Sequence, residues 1–435
     1  MKLSNFDIAV DSSGMKQRLQ SIIERLYGAA ARIETLHVSR VFPRKDGGFS
    51  IGYELNIDAD KTKERMILWG HLLGPVQSLP GNSLEPRHDL VIFDDIGLAL
   101  PVFPSDPKLK YLPEYFGKNE IVKRRLKDIS FLTSLDFEIV GCQLLGYRLE
   151  RRCAIKYVLD MVKNGRRQRL EIAAKILPPK KTRNATDILK KLADNDFTGN
   201  SADGLTAPDL LGYDDKRGII IMEFAPGESL HAIAEEKRFI DSCREAGRIL
   251  KKLHSTSLEG LPSYRQDDEL DSLREKIDIA VNTFPETGRM FADAFAAVAG
   301  EKIVDDHPVV PVHRDFYDKQ TLHLPGRTTL LDFDNLVLSD PAVDYGNFMA
   351  HLTLRRAQRP ERGAVILRGA KSFASGYGIF DTDFEKRAAW WKKTALLRLA
   401  FLYYLRPRWK TIALSLLSDN EYSTEGKNIL TGEKK

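Results

Sequence analysis

The chain has few cysteines, and they do not stand in the patterns of metal sites or disulfide frameworks. Its 435 residues include three: Cys142, Cys153 and Cys243. No Cys-x-x-Cys or Cys/His spacing typical of zinc sites occurs, and so few cysteines argue against a disulfide-stapled fold. We therefore expect a reducing, cytoplasmic setting, where thiols stay unpaired.

Long apolar runs are also missing. The longest, Ala395–Leu405, is interrupted by Arg398 and is too short to cross a bilayer. The N-terminal segment lacks the apolar core of a secretory signal peptide. We therefore expect neither a secretory signal nor a membrane as a partner.

The chain lacks a strong charge imbalance as well. Its formal net charge is only +5 over 435 residues, which permits binding of an anionic nucleotide but gives no reason to expect nucleic acid as a partner. Apolar residues make up 43%, enough for a large core in two or three domains, or in a two-lobed enzyme with an extension. Nothing in the sequence indicates an oligomeric state.

Residues 311–352 concentrate the polar side chains that can hold a metal or move a proton. They are His313, Asp315, Gln320, Asp332, Asp334, Asp340 and Asp344. Two short apolar runs, beginning at Thr321 and at Thr328, are separated by Pro325-Gly326 and predict a β-hairpin. Such a hairpin would bring Asp315, Gln320 and Asp332 to one end of a sheet.

Phosphoryl transfer requires this set of groups. A carboxylate accepts the proton of the attacking hydroxyl, and oxygen ligands hold magnesium against the nucleotide phosphates. The order is His-x-Asp-x-x-x-x-Gln, then eleven residues, then Asp-Phe-Asp. It resembles the catalytic segment of the aminoglycoside phosphotransferase and choline kinase superfamily, which has a protein-kinase-like fold. Asp340 and Asp344 extend the resemblance.

This resemblance implies a role for each residue. Asp315 would be the catalytic base, and His313 would hold the catalytic loop in shape. Gln320, where the family has asparagine, would bind Mg²⁺ together with Asp332. Asp334 is the rival ligand, since on a strand it would face the same side as Asp332.

The implied reaction is transfer of a phosphoryl group from ATP, or from GTP, to a hydroxyl of a small molecule. Sugars, amino alcohols and aminoglycosides all remain open as acceptors. Two alternatives remain. One is a nucleotide-binding pseudokinase that serves as a regulatory module, and the other is a protein kinase.

Residues 135–225 predict a small β-rich lobe. Its three strand candidates are Glu138–Leu145, Arg152–Met161 and Arg169–Leu177, with Asn164-Gly165 as the turn between the second and third. By resemblance, Lys175 at the end of the third strand would bind the nucleotide phosphates.

The turn between the first two strands is predicted to hold Gly141 and Gly146, which do not form a glycine-rich phosphate loop. The basic side chains nearby have two readings, as phosphate ligands or as a solvated turn. They are Arg148, Arg151 and Arg152.

The apolar strand Gly218–Phe224 leads into a segment that resembles the interlobe hinge of the same family. There the backbone of Glu223, Phe224 and Ala225 would bind the nucleotide base. Helices follow, and Asn184, Asp241 and Thr382 are predicted N-caps.

Three predicted helices contain further residues whose roles can be predicted. His254 is interpreted as a helix-end residue. Asp340 is predicted to cap a helix with Pro341 at its first position. Trp390 and Trp391 are interpreted as core side chains.

Residues 1–120 predict a β-rich extension with a helix over Met15–Ala31 and three strands within residues 37–72. Shifting Val41–Gly74 by 104 residues sets it against Leu145–Pro178 with five identities in 34 positions. Two interpretations remain open, a degenerate repeat and a chance match between alternating strands. In a repeat, His71 would stand where Lys175 stands, and we therefore expect the extension not to bind nucleotide.

The predicted fold is mixed α/β and two-lobed, like a protein kinase, with a β-rich N-lobe and a helical C-lobe. We divide the chain into an N-terminal extension (1–120), a kinase-like N-lobe (121–226), a helical C-lobe with the catalytic loop (227–418) and a polar tail (419–435).

Overall fold

The structure is a computed structural model. It describes residues 4–59, 62–74, 90–163, 166–301, 303, 307–378 and 381–417. The predicted turn at Asn164-Gly165 and the polar tail lie outside the described residues. Within this part of the chain, no helix is both long and apolar enough to span a bilayer.

The strands fall mainly in the first half of the chain. Their bounds are β1 Arg32–Pro43, β2 Phe49–Ala59, β3 Thr62–Leu72, β4 Leu90–Phe93, β5 Leu98–Pro101, β6 Phe137–Arg148, β7 Arg152–Lys163, β8 Arg166–Ile176, β9 Leu205–Thr206, β10 Leu210–Asp214, β11 Ile219–Glu223, β12 Glu228–Ser229, β13 Val310–Val312, β14 Thr321–Leu324, β15 Arg327–Leu330 and β16 Val337–Ser339.

The helices dominate the second half. Their bounds are α1 Asn5–Val10, α2 Ser12–Tyr27, α3 Glu120–Lys127, α4 Ser130–Thr133, α5 Pro179–Asp194, α6 Glu236–His254, α7 Gln266–Thr283, α8 Pro285–Gly300, α9 Ala342–Gln358, α10 Gly363–Tyr377, α11 Thr382–Tyr404 and α12 Lys410–Ser415. The predicted fold class, mixed α/β and kinase-like with a β-rich part before a helical part, is confirmed.

The chain forms two compact units. The first contains the described residues of Met1–Arg183, Leu211–Met222 and Tyr404–Lys410. The second contains those of Asn184–Leu210, Glu223–Tyr403 and Thr411–Lys435.

The first unit contains two five-stranded sheets. The strand order in one is β1-β2-β3-β5-β4, and in the other it is β10-β11-β8-β7-β6. The three strands predicted within residues 37–72 are confirmed as β1 to β3. Alternate residues of β2 are fully buried, as expected for a strand with one face on a core. They are Ile51, Tyr53, Leu55 and Ile57.

The turn between β6 and β7 lies elsewhere than predicted. Gly141 and Gly146 belong to β6, and each directly follows a shift in the pairing register between β6 and β7. Glycine commonly marks such bulges because it tolerates the local backbone distortion. The turn itself is Leu149–Arg151, whose first and last neighbours, Arg148 and Arg152, pair with each other.

In the second unit, α6 and α10 approach each other closely. A Cβ added to Gly376 would lie 2.0 Å from the carbonyl oxygen of Arg244, and one added to Gly247 would lie 2.3 Å from that of Phe373. Glycine at these positions therefore lets the two helix backbones meet, and this packing forms part of the core behind the site.

Several helix starts differ from the predictions. α5 begins at Pro179 rather than at Asn184, because proline fits the first turn of a helix. α6 begins earlier than Asp241, since the Glu235 carboxylate accepts hydrogen bonds from two first-turn N–H groups at 2.9 and 2.7 Å.

The N-cap of α11 also lies one residue before the predicted position. The side chain that accepts a first-turn N–H is Asp381, which receives the Phe384 N–H at 2.6 Å, and not Thr382. Before α9, Asp340 accepts the Ala342 N–H at 2.9 Å, as a cap would, although Pro341 precedes the helix rather than opening it. Trp390 and Trp391 are buried core residues, as predicted.

Candidate active site

The predicted hairpin is present and organises the site. β14 and β15 are antiparallel, and their last pair, Leu324 with Arg327, closes on Gly326 at φ 77°. At the open end, the Leu331 N–H donates to the Gln320 carbonyl at 2.8 Å. This bond fixes the start of the Asp332 segment beside the end of the loop His313–Gln320, which we call the catalytic loop.

His313 ties the other end of the catalytic loop to the same place. It is fully buried, and its Nε2–H donates to the Leu331 carbonyl at 2.7 Å. Its Nδ1 then accepts the Asp315 N–H at 3.3 Å. Both ring nitrogens are engaged with backbone groups, so His313 acts as a brace between Asp315 and the residue before Asp332.

Gln320 also reaches Asp315. Its Nε2 donates to Asp315 Oδ2 at 3.4 Å, and its side chain is 7% exposed. Leu331 therefore lies between two residues that contact Asp315, and the structure gathers Asp315, Gln320 and the start of the Asp332 segment at one end of the hairpin.

A polar stripe on α9 holds the catalytic loop in place through contacts with its backbone and side chains. Its members, three or four residues apart and hence on one face of the helix, are Asp344, Asn347, His351 and Arg355. Asp344, which is fully buried, accepts the His313 N–H at 2.6 Å and the Arg314 N–H at 2.7 Å. Arg314 has φ 63°, and the Asp344 bonds hold that uncommon conformation in place.

The stripe continues along the loop. The Asn347 amide donates to the Phe316 carbonyl at 2.8 Å, and the His351 ring stacks on Tyr317 with centroids 4.4 Å apart. Burial lowers the pKa of His351 to about 3, so the ring is neutral at physiological pH.

Asp318 anchors the far side of the loop. Its Oδ2 accepts from Arg355 Nε at 3.0 Å and from His231 Nδ1 at 2.9 Å. Burial opposes ionisation of Asp318, but the His231 hydrogen bond and the Arg355 charge hold its pKa below the ordinary value. The catalytic loop is therefore held along its length by the polar stripe of α9 and by His231.

His254 was interpreted from sequence as a helix-end residue, but the structure shows a second role. It is 6% exposed, its Nε2 lies 3.1 Å from Asp344 Oδ2, and its Nδ1 lies 2.8 Å from the Tyr377 hydroxyl. His254 thus positions the carboxylate that holds the catalytic loop. The terminal position on α6 gave no signal of this contact, because its partners are about 90 and 123 residues away.

The prediction that Asp332 and Asp334 share one face of a strand is wrong. Asp332 adopts a left-handed conformation at φ 66° and ψ 64°, and Asp334 lies in the 3₁₀ turn Phe333–Asn335. The turn forms because Phe333 is buried, with its ring centroid 5.5 Å from that of His313. Asp332 is half-buried beside the loop, whereas Asp334 is exposed.

The oxygen atoms gathered here suit magnesium. Among the described residues, no group of three or more His, Cys, Asp or Glu side chains forms a closed metal cage. Mg²⁺ usually takes one or two protein carboxylates and completes its shell with substrate phosphates and water. The Asp332 carboxylate and the Gln320 amide oxygen are of the ligand types that such an open site requires.

The predicted hinge residues follow β11. The Glu223 carboxylate is already paired with Arg327, whose Nη2 lies 2.9 Å from Oε2, and Ala225 is buried. The Glu223 side chain is therefore already used in an ion pair within the second unit. Recognition of a nucleotide base by this segment would fall to its backbone, as the resemblance implies.

Lys175 lies in the first unit, next to the last residue of β8. It pairs with Ala154, and it is partly exposed on the face opposite to the buried side chains of Ala174 and Ile176. The remaining candidates, His313, Asp315, Gln320, Asp332 and Asp334, all lie in the second unit.

Sequence reasoning missed a cluster of basic side chains near Asp315. Arg398 pairs with Glu269 at 3.0 Å. Burial alone would lower the pKa of Arg398, but Glu269, Tyr264 and Asp315 hold it above its ordinary value. Burial and the nearby Arg398 lower the pKa of Lys276.

The same cluster extends to the loop. The Arg314 guanidinium lies 3.7 Å from the centroid of the Tyr264 ring, and the Arg398 Nη2 donates to Asn347 Oδ1 at 2.7 Å. Arg314 and Arg398 therefore bring positive charge to the loop, and Lys276 lies close enough to Arg398 and Arg314 for their charges to interact.

Comparisons with known proteins agree with the motif. The profile of the phosphotransferase enzyme family matches residues 163–388, just over half of the chain. No curated protein matches the chain.

Solved structures with similar folds include three phosphotransferases and kinases. The GDP complex of an aminoglycoside 2′-phosphotransferase-IIIa is 15% identical, with 73% of this chain and 99% of that one covered and a TM-score of 0.47. A macrolide 2′-phosphotransferase from Brachybacterium faecium is 16% identical over 68% and 97%, with a TM-score of 0.43. A choline/ethanolamine kinase family protein from Mesorhizobium loti is 14% identical over 71% and 93%, with a TM-score of 0.44.

Proposed function

Because the chain belongs to the phosphotransferase enzyme family, we propose that it transfers the γ-phosphoryl group of ATP or GTP to a hydroxyl of a small molecule. The observation that carries this proposal is the position of Asp315. It stands in a buried loop whose backbone is bonded by His313 and by the polar stripe of α9. These bonds fix the backbone on both sides of Asp315, which places its carboxylate at a defined position for proton transfer.

Asp315 acts as the general base. Its carboxylate accepts the proton of the acceptor hydroxyl while the hydroxyl oxygen forms a bond to the γ-phosphorus. The bond from the γ-phosphorus to its bridging oxygen breaks, and the nucleoside diphosphate leaves with that oxygen. The Gln320 N–H on Asp315 Oδ2 orients the carboxylate for this transfer.

Gln320 and Asp332 would hold the magnesium ion that accompanies the nucleotide. When bound, the ion neutralises charge on the phosphate oxygens. Asp332 is the better carboxylate ligand, because the residue before it is bonded to both His313 and Gln320. Asp334, exposed in the following turn, is the weaker candidate.

The nucleotide contacts are proposed from the family resemblance. Lys175 binds the α- and β-phosphates, and the backbone of Glu223, Phe224 and Ala225 binds the base. The pairing of Glu223 with Arg327 supports a backbone role for this segment, since its carboxylate is already used.

The charge around the loop bears on the acceptor. Arg314, which precedes Asp315, and Arg398 place positive charge close to Asp315, and Glu269 pairs with Arg398. An acceptor with several positive charges would be repelled there. We therefore propose a neutral or anionic hydroxyl compound, such as a sugar or a sugar acid, rather than a polycationic aminoglycoside.

A label-transfer screen tests the function. Wild-type protein, Mg²⁺ and γ-labelled ATP or GTP are incubated with a hydroxyl panel of graded charge, and transfer of label to each acceptor is measured. We expect transfer to neutral or anionic members and slow, Mg²⁺-dependent hydrolysis to the diphosphate without an acceptor. Tight nucleotide binding with neither transfer nor hydrolysis would instead support the regulatory pseudokinase.

A further inference from the structure

The two sheets of the first unit share one plan. Read from their first strands, the orders β1-β2-β3-β5-β4 and β6-β7-β8-β11-β10 are the same. The strand bounds also repeat with an offset of 104 residues, so that β3, Thr62–Leu72, becomes β8, Arg166–Ile176. The bounds of β1 and β2 agree with those of β6 and β7 at this offset to within one residue.

The pairing register repeats with the same offset. Ser50 pairs with His71, and the positions 104 residues later, Ala154 and Lys175, also pair. Each leading hairpin also carries two register shifts five residues apart, after Ile33 and Val38 in one and after Ile139 and Leu144 in the other. The shifts of the second hairpin lie two residues beyond the 104-residue offset, so the pairing of β2 with β3 and of β7 with β8 is the part of the register that repeats at this offset.

Each sheet is preceded by two helices of different lengths, and one buried tyrosine contact repeats. α1 and α2 precede the first sheet, and the Tyr53 hydroxyl donates to the Ala9 carbonyl at 2.7 Å. α3 and α4 precede the second sheet, and the Tyr157 hydroxyl, 104 residues later, donates to the Tyr115 carbonyl.

The two copies differ on one face. On the second sheet, Ala154, Ala173 and Lys175 are partly exposed. On the first sheet, Trp69 stands at the place of Ala173 and is 2% exposed. Its ring lies across Gly52, where an added Cβ would come within 3.1 Å of the indole. The face that carries the lysine in the second copy is therefore filled in the first.

Trp69 and His71 contact the turn between β6 and β7 of the second copy. The Trp69 indole N–H donates to the Tyr147 carbonyl at 2.8 Å, and His71 Nε2 lies 3.5 Å from Glu150 Oε1. On the same side, the Arg148 guanidinium lies 3.7 Å from the centroid of the Phe42 ring.

A buried aspartate completes the anchorage of this turn. Asp106 Oδ2 accepts the Tyr147 hydroxyl at 2.9 Å and the Glu150 N–H at 2.8 Å. Lys108 Nζ adds a 2.7 Å ion pair to Glu150. Glu150 has φ 59°, an uncommon conformation for glutamate that persists where the surroundings impose it.

We propose that the first sheet is a degenerate copy of the second that binds no nucleotide, and that Trp69 and His71, with Asp106, clamp the β6–β7 turn in place over the nucleotide phosphates. In protein kinases a flexible glycine-rich loop covers the phosphates. Here the turn carries Arg151, with Arg148 before it stacked on Phe42, and the first copy supplies the rigidity. This inference rests on the proposed function.

The clamp makes a physical prediction. A turn already fixed in its bound conformation avoids the ordering cost that a mobile loop meets on binding. Loosening the turn should therefore weaken nucleotide binding without touching the acceptor site. Trp69, His71 and Asp106 are positioning residues, because they act through the turn.

The test compares two variants of the full-length protein. Trp69→Phe keeps an aromatic ring but removes the N–H that reaches Tyr147. Tyr53→Phe is the matched control, since it removes a buried hydroxyl that donates to a backbone carbonyl on the opposite face of the same sheet. Thermal unfolding, the Kd for Mg·ATP and hydrogen exchange of the peptide spanning residues 145–153 are measured for both.

We expect both variants to lower the melting temperature to a similar extent. Only Trp69→Phe should speed hydrogen exchange in the turn and raise the nucleotide Kd, by about 3- to 10-fold, the worth of one hydrogen bond. The KM for the acceptor should stay within about 2-fold of wild type, because the turn affects binding of the nucleotide and not of the acceptor.

Three results would overturn the proposal. An unchanged nucleotide Kd in Trp69→Phe despite faster exchange would remove the turn from nucleotide binding. An equal rise in Kd in Tyr53→Phe would reduce the effect to general stability. Absence of nucleotide binding in the wild-type protein would refute the proposed function itself, and the clamp with it.

Discussion

Replacing Asp344 with asparagine should separate loop positioning from general stability. The Asp344 carboxylate accepts the N–H groups of His313 and Arg314 at 2.6 and 2.7 Å, and His254 Nε2 lies 3.1 Å away. Asparagine keeps one acceptor oxygen and turns an NH₂ group toward a donor. About two bonds to a buried charge are lost.

The magnitude follows from those bonds. Hydrogen bonds to charged groups contribute roughly 1.5–3 kcal/mol each, so Asp344→Asn should lower the free energy of unfolding by about 3–6 kcal/mol. For a unit of this size, that corresponds to a fall in Tm of about 6–24 °C. The catalytic loop should shift, and a misplacement of about 1 Å costs roughly 100-fold in kcat. Nucleotide affinity should change less than about 3-fold.

Asp340→Asn is the matched control. Asp340 is equally buried and accepts from Arg387 and Trp391 at 3.0 and 3.2 Å, but none of these residues belongs to the catalytic loop. Thermal unfolding and label transfer at saturating nucleotide are measured for both variants. Equal losses of kcat at equal losses of stability would refute the positioning role of Asp344, and so would an unchanged kcat in Asp344→Asn.

Three further predictions concern the metal and the turn. Asp332→Ala should abolish Mg²⁺-dependent nucleotide binding while Asp334→Ala weakens it little, and a loss confined to Asp334→Ala in Mg²⁺ titrations would reverse the assignment. Gln320→Asn should raise the Mg²⁺ concentration for half-maximal activity by about 3- to 10-fold, because the site is built around the longer side chain; an unchanged titration would exclude Gln320 as a ligand. The His71 contact holds the pKa of Glu150 at about 2, below its ordinary value of 4.5. The extra stability of wild type over Glu150→Gln should thus be present above about pH 4.5 and vanish as the pH falls through about 2. Urea titrations at a series of pH values measure the free energy of unfolding of both proteins. A difference between them that stays constant with pH would show that the Glu150–His71 contact contributes nothing.

Local patterns in the sequence predicted much of the framework. The Pro325-Gly326 turn between two apolar runs predicted the hairpin, and the alternation along residues 37–72 predicted three strands. The spacing of His313, Asp315 and Gln320 located the catalytic loop. These features depend on residues that are close in sequence, so local sequence patterns are enough to predict them.

Other features depend on tertiary contacts and were missed or misplaced. Asp332 adopts φ 66° because Phe333 is buried beside His313, which no local pattern shows. The role of His254 likewise depends on Asp344, 90 residues away.

The polar stripe of α9 could have been predicted from the spacing of its residues in the sequence. Asp344, Asn347, His351 and Arg355 recur at helical spacing on a helix whose other inward residues are apolar. Such a stripe on a buried helix indicates that the polar groups serve a neighbouring backbone, because buried polar atoms need partners.

The central claim is that Asp315 accepts the proton in phosphoryl transfer. The direct test is single-turnover transfer of labelled phosphate by wild type and Asp315→Asn, with the nucleotide Kd measured on the same preparations. The account predicts a Kd within about 3-fold of wild type and a transfer rate lower by about 10² to 10⁴. Transfer by Asp315→Asn at the wild-type rate, with nucleotide binding intact, would contradict it.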